Sequence, residues 1–231
     1  MPSVPSLKKI ISQFGFYIVK AGVLAPNSVD RFQELSTLRY MLKSLEIDCV
    51  VDVGANIGQF GRDLRRIGYD GWIYSFEPSG NAYGLLLKAL DSKWIAERSA
   101  LGASEGSLEM HIESYSVMNS FRRPIDRPVL GRETVAVGTL SNVIDKIKSA
   151  TGAKNIFLKI DTQGFDMEVL KGAGTRVTEF RGLLSEVSVR PLYEDIPSYI
   201  QALECYGRAG FVLHSLYPVS RDKQRSVIEY N

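Results

Sequence analysis

The stretch Asp52-Val53-Gly54-Ala55-Asn56-Ile57-Gly58-Gln59-Phe60 sets a carboxylate and two glycines directly after an apolar run and directly before a helical stretch. Glycine at 54 and 58 lets backbone come close to a bound molecule, because no Cβ stands in the way. Glu77 ends the next apolar run, 23 residues beyond Gly54. A carboxylate there can accept hydrogen bonds from two hydroxyls at once. Asp161 closes a further run beside Thr162-Gln163-Gly164, and Glu186 lies near the end of the one after it. Acids at strand ends are candidates for a general base or for oxygen ligands of Mg2+, and the residues alone leave both open. His111 and His214 have imidazoles of suitable pKa range, but each stands alone in a strand-like stretch, where packing is the commoner role.

The glycine spacing is Gly-x-x-x-Gly and lacks the Gly-x-Gly-x-x-Gly pattern that cradles a pyrophosphate. The loop therefore suits a ligand without phosphates, such as S-adenosylmethionine, better than it suits NAD, with Glu77 placed to hold the ribose. A nicotinamide-dependent oxidoreductase is the weaker enzyme reading. A module that keeps such a pocket and binds without turnover is the non-enzymatic one.

These groups need a frame, and apolar runs alternate with helical stretches to supply it. The runs at 49–53, 72–76, 94–99, 155–160, 182–187 and 211–216 read as strands, with helices at 58–66, 81–90, 140–148, 166–171 and 196–209. Strand and helix in alternation give an α/β, Rossmann-like domain with a mostly parallel sheet, from about residue 48 to 231. Between 102 and 138 the pattern turns short and polar, which reads as an insertion of substrate loops over the strand ends. Tyr115, Asn119, Ser120 and Arg122, together with Tyr193, are candidates to line an acceptor pocket there. The alternating piece Ser226–Asn231 reads as the start of a last, antiparallel strand that runs a few residues further.

Residues 1–47 read as a helical extension. Leu7, Ile10, Ile11, Phe14, Tyr17 and Ile18 form one stripe, which packs on the domain or on a second copy and so suggests a homo-oligomer. A second helix follows to about Leu45, with Phe32, Leu35, Leu38 and Leu42 on one face. Gln13 and Lys20 interrupt the stretch Ile10–Ala25, which is too short to span a bilayer, and no signal-peptide pattern precedes it. Lys and Arg number 28 against 26 Asp and Glu, with no run of like charge to follow a phosphate backbone, so nucleic acid is an unexpected partner. Two cysteines far apart, Cys49 and Cys205, exclude a disulfide framework or a structural zinc site and fit a cytoplasmic protein.

With these residues in hand, the sequence resembles the FkbM family of S-adenosylmethionine-dependent methyltransferases. The matching strings are VVDVGANIGQFG at 50–61, YSFEPSGNAY at 74–83, SALGASEGSL at 99–108 and FLKIDTQGFDMEVLKGA at 157–173. The resemblance implies a class I methyltransferase fold with a mostly parallel seven-stranded sheet and helices on both faces. It implies that Asp52, Gly54, Asn56 and Gly58 surround the methionine part of the cofactor, Glu77 the ribose, and Ser99, Ala100 and Leu101 the adenine. It also implies O-methylation of a small-molecule hydroxyl on a sugar, oligosaccharide or polyketide. For that reaction the strand-end acids Asp161 and Glu186 are the candidate catalytic residues, with Gln163, Asn119 and Tyr193 candidates near the acceptor. One departure stands out: relatives often carry Glu where this chain has Gln163, and an amide cannot act as a base. The Asp161-Thr162-Gln163-Gly164 string also lacks the Pro-Pro-aromatic sequence of enzymes that methylate amino groups of bases.

Overall fold

A computed structural model describes residues 26–231. The apolar stripe from Leu7 to Ile18, and the contact between copies inferred from it, lie outside the described residues. The chain enters through helix α1 (Pro26–Ser44). Leu38 and Leu42 bury the inner face of α1, whereas Phe32, which the spacing sets beside them, is 49% exposed.

Five parallel strands form the central sheet: β1 (Cys49–Val53), β2 (Trp72–Phe76), β3 (Trp94–Glu97), β7 (Ile156–Ile160) and β8 (Phe180–Ser185), in the order β3-β2-β1-β7-β8. Every residue of β1 and of β7 is buried, as a strand covered on both faces requires. Side chains alternate between the two faces. On one face Val51, Val53, Leu158 and Ile160 meet Leu140, Ile144 and Ile147 of helix α4 (Leu140–Thr151). On the other, Val50, Ile73 and Phe157 meet α1 and Leu64 of helix α2 (Gln59–Arg66). Helix α3 (Gly80–Leu86) adds Leu86 to that second face, and α5 (Asp166–Lys171) adds Val169 to the first.

The insertion is built on an antiparallel hairpin of β5 (Gly106–Ile112) and β6 (Gly131–Gly138), with the short β4 (Ala100–Leu101) parallel to β6. A third sheet joins β9 (Val187–Ser188), which precedes helix α6 (Tyr199–Arg208), to β10 (Pro218–Arg221) and β11 (Val227–Tyr230), which follow it. The last strand is antiparallel to its neighbours, as its alternation suggests.

The strand count departs from expectation. Among the described residues the central sheet has five strands, not seven, and 211–216 forms no strand. Val212 is 90% exposed there. A short apolar run cannot by itself name the neighbour that would supply its ladder, and this one finds none until Tyr217 exchanges hydrogen bonds with Asn231. No helix among the described residues is long and apolar enough to cross a membrane.

Strand order reverses between β1 and β7. The carboxyl ends of two such strands open a crevice, and Gly54 and Asp161 stand at its two lips.

Candidate active site

Gly54 has φ +80, and a Cβ built on it would lie 1.9 Å from the carbonyl oxygen of Asp161. Only glycine lets the β1 loop pass so close to the end of β7. The amides of Gly54 and Ala55 both donate to the Phe76 carbonyl at 3.0 Å, the Gly58 amide donates to Ala55, and the Asn56 amide donates to Glu77 Oε2 at 2.7 Å. These four amides are thereby committed to protein acceptors, unlike those of an open phosphate cradle. Gly58 (φ +83) serves packing instead. A Cβ there would press on Leu86 and Trp94 in the core.

Glu77 is 5% exposed, and its second oxygen accepts the Ser79 amide at 2.8 Å. Its carboxyl thus ties the loop after β1 to the loop after β2 while lining the cleft between them. Burial pushes its pKa up to about 7, against the two backbone amides that favour the charged form.

Asp52 is fully buried and does not line the cleft. It faces Lys159, whose ammonium lies 2.9 Å from Asp52 Oδ1 and 3.5 Å from Asp161 Oδ2 and donates to the Gly54 carbonyl at 3.1 Å. Burial works against the lysine's charge, but Asp52 and Asp161 outweigh it and its pKa is raised. Sequence reasoning passed over Lys159. The available signal was a lysine inside the apolar run Ile156-Phe157-Leu158-Lys159-Ile160, where only a paired charge is tolerated.

Asp161 has 39% of its side chain exposed, so its free edge reaches the cleft. It caps no helix: α5 starts after Phe165. Gln163 Nε2 donates to Asp161 Oδ1 and to Glu186 Oε2, both at 2.9 Å. Burial, then the neighbouring Asp161, raises the Glu186 pKa well above the usual carboxylate range. The Tyr193 hydroxyl, 1% exposed as a residue, lies 3.0 Å from Gln163 Oε1 and 2.8 Å from the Met118 carbonyl.

The insertion roofs this arrangement. Ser116 Oγ donates to Asn56 Oδ1 at 3.2 Å and Ser120 Oγ to the Gln163 carbonyl at 2.6 Å. Asn119 lines the cleft, with its Oδ1 accepting the Glu113 amide at 3.0 Å. Tyr115 points away and is 74% exposed, and Arg122 lies over the Phe165 ring. His111 is bound into the β5–β6 hairpin, and His214 Nδ1 meets the neighbouring Ser215 Oγ at 2.7 Å, away from the cleft.

One cleft therefore gathers Gly54, Asn56, Glu77, Ser99, Ala100, Leu101, Asn119, Asp161 and Gln163. Asp52, Gly58, Glu186 and Tyr193 stand behind that wall and support it. Arg31 of α1, also at the cleft, was not anticipated; Glu34 and Asp63 hold it at 2.7 and 2.5 Å.

Residues 52–213 match the model of the methyltransferase FkbM domain, more than half of the chain. None of the curated protein sequences matches. Among solved structures, the chain is similar to magnesium protoporphyrin IX methyltransferase from Synechocystis PCC 6803 with bound S-adenosylmethionine, at 12% identity and TM-score 0.48, over 97% of this chain and 91% of that one. It is also similar to Aeropyrum pernix fibrillarin in complex with S-adenosyl-L-methionine, at 13% identity and TM-score 0.44, over 79% of this chain and 65% of that one.

Proposed function

Because this chain belongs to the FkbM methyltransferase family, we propose that it transfers a methyl group from S-adenosylmethionine to a hydroxyl of a sugar, oligosaccharide or polyketide-type metabolite. The observation that carries the reading is one cleft with Glu77 on one wall and Asp161 on another, closed at its base by the Gly54 turn.

The residues present fit such a cofactor. Both cations at the cleft, Arg31 and Lys159, are already paired with acids, and the amides of Gly54, Ala55, Asn56 and Gly58 are committed. A pyrophosphate would find no unpaired counter-charge there and would lose the four turn amides already engaged, which counts against a nicotinamide dinucleotide. Glu77 keeps lone pairs for two ribose hydroxyls, Ala100 and Leu101 offer an apolar wall for adenine beside Ser99, and the acids suit a cationic centre. Free Cys49 and Cys205 are consistent with a cytoplasmic setting.

When bound, S-adenosylmethionine supplies a methyl group already activated on a sulfonium. The protein's task is then alignment and proton management. Asp161 is the group at the cleft with a carboxylate edge open to an acceptor, and it takes the hydroxyl proton as attack proceeds. Gln163 and Lys159 fix its rotamer from two sides. Asn119 and the Ser116–Met118 turn roof the position and limit water.

Calorimetric titration of the full chain with S-adenosylhomocysteine and with NAD tests the cofactor, and a methyl-transfer screen over sugar hydroxyls with wild type and Asp161→Asn tests the rest. Binding of the first compound alone, and transfer lost in the variant, is expected. Binding of NAD instead, or undiminished transfer by Asp161→Asn, would overturn the assignment.

A further inference from the structure

The geometry points to Gln163 as a positioning residue whose side-chain amide holds Asp161 and Glu186 together in the place a divalent cation would otherwise take. Its nitrogen lies 2.9 Å from an oxygen of each acid, so both of its N–H bonds are spent on carboxylates. The amide is aimed by its other end, where Oε1 meets the Tyr193 hydroxyl at 3.0 Å. Its backbone is held as firmly. Gln163 has φ +53 and Gly164 φ +87, two successive left-handed residues, and a non-glycine side chain keeps that conformation only where its surroundings impose it. Here Ser120 Oγ pins the Gln163 carbonyl at 2.6 Å.

The charge balance around the pair gives the amide its purpose. Asp166 and Glu229 add two more acids nearby, as their raised pKa values with Asp161 as a contributor attest. Lys159 is shared with Asp52, Arg122 reaches Glu168, and Arg127 is paired with Glu113. No cation is thus dedicated to the Asp161–Glu186 pair, and the partial positive charge of an amide stands between them. Among the described residues no three acid, histidine or cysteine side chains are placed to hold a metal ion. A carboxylate at 163 would complete such a set, because its oxygens would occupy the point where the amide now sits, facing two acids. Gln163 therefore sets the site's independence of metal while presenting Asp161 as the base.

The inference rests on the proposed reading of the cleft, and its test is kept separate from that reading. Mn2+ is titrated into the full-length wild type, Gln163→Glu, and the double variant Gln163→Glu with Glu186→Gln, with binding followed by electron paramagnetic resonance and stability by thermal melting with and without the ion. Gln163→Glu should bind Mn2+ about ten-fold or more tighter than wild type, and the double variant, which restores the original charge, should lose that gain. A Gln163→Glu chain that folds only with Mn2+ counts with the expected result. Wild type binding as tightly as the variant, a double variant that keeps the gain, or a Gln163→Glu chain that binds no Mn2+ or stays unfolded in its presence would overturn the inference. Titration of wild type with S-adenosylhomocysteine in metal-free buffer reports separately on the cofactor reading.

Discussion

Asp52 on β1 and Lys159 on β7 are register partners across the two central strands, and the ammonium lies 2.9 Å from the carboxylate with 7% and 0% of the two side chains exposed. The pair sits directly beneath the crevice, and the same ammonium holds the Gly54 carbonyl. Charge at this depth is tolerated only in company, because removing one partner leaves the other desolvated and unpaired. Lys159→Met should therefore lose about 3–5 kcal/mol in urea unfolding, whereas Lys159→Met combined with Asp52→Leu should recover most of it. A double variant no more stable than the single one would show that the ion pair is not what the lysine is for.

Gly54→Ala and Gly58→Ala separate two uses of glycine in one turn. At 54 the methyl group meets backbone, the Asp161 carbonyl, which cannot move without shifting the end of β7. At 58 it meets the ends of Leu86 and Trp94 side chains. Both pay left-handed strain of about 1–3 kcal/mol. Gly54→Ala should in addition abolish S-adenosylhomocysteine binding, while Gly58→Ala should melt earlier yet bind within about ten-fold of wild type, since its neighbours can repack. Calorimetry on the folded fraction of each variant distinguishes the two.

That contrast shows what the sequence made legible. Both glycines follow a buried strand and precede a helix, so the turn was readable, but spacing does not say whether a missing Cβ makes room for a ligand, a neighbouring loop or a tryptophan. The parallel core was equally readable, because β1 and β7 are uninterrupted apolar runs. The pairing of 211–216 was not, since an apolar run carries no record of its partner. Glu77 and Asp161 were legible as candidates from their places at strand ends, and the structure sets both on the cleft. Asp52 was also found at a strand end, but that place does not reveal that Lys159 faces it, because the contact depends on the register between β1 and β7.

Glu77 gives the chain a characteristic pH response. Its folded pKa, about 7, stands above the ordinary value of 4.5, and Asp166 at about 6 stands above 3.8, both chiefly through burial. An acid whose folded pKa is raised binds more protons folded than unfolded within that window, so stability falls as pH rises from about 4 to about 7. Glu77→Gln should flatten that fall by about 3 kcal/mol in denaturant melts across the range. Ribose hydroxyls that donate to Glu77 favour its ionised form, so S-adenosylhomocysteine should bind more tightly as pH rises toward 7 and release protons at pH near 6.5. Calorimetry in buffers of different ionisation enthalpy should register that release for wild type and lose it in Glu77→Gln.

Tyr193 is the support through which the insertion and the acid pair are joined, although it does not line the cleft. Its hydroxyl lies between the Met118 carbonyl of the roof and Gln163 Oε1, and its ring is stacked under Arg127 at 4.8 Å. Tyr193→Phe keeps the ring and its stacking and removes only the hydroxyl. The fold should lose about 1 kcal/mol, the net worth of one buried hydrogen bond. Cofactor affinity should stay unchanged, because Glu77 and the Gly54 turn are untouched. Methyl transfer to the acceptor identified by the sugar screen should fall by roughly ten-fold or more in kcat, because the amide that aligns Asp161 is no longer aimed. A variant with wild-type kcat would mean that Tyr193 serves the roof alone. A loss of S-adenosylhomocysteine affinity would mean that the roof, rather than the acid pair, shapes the cofactor half of the cleft.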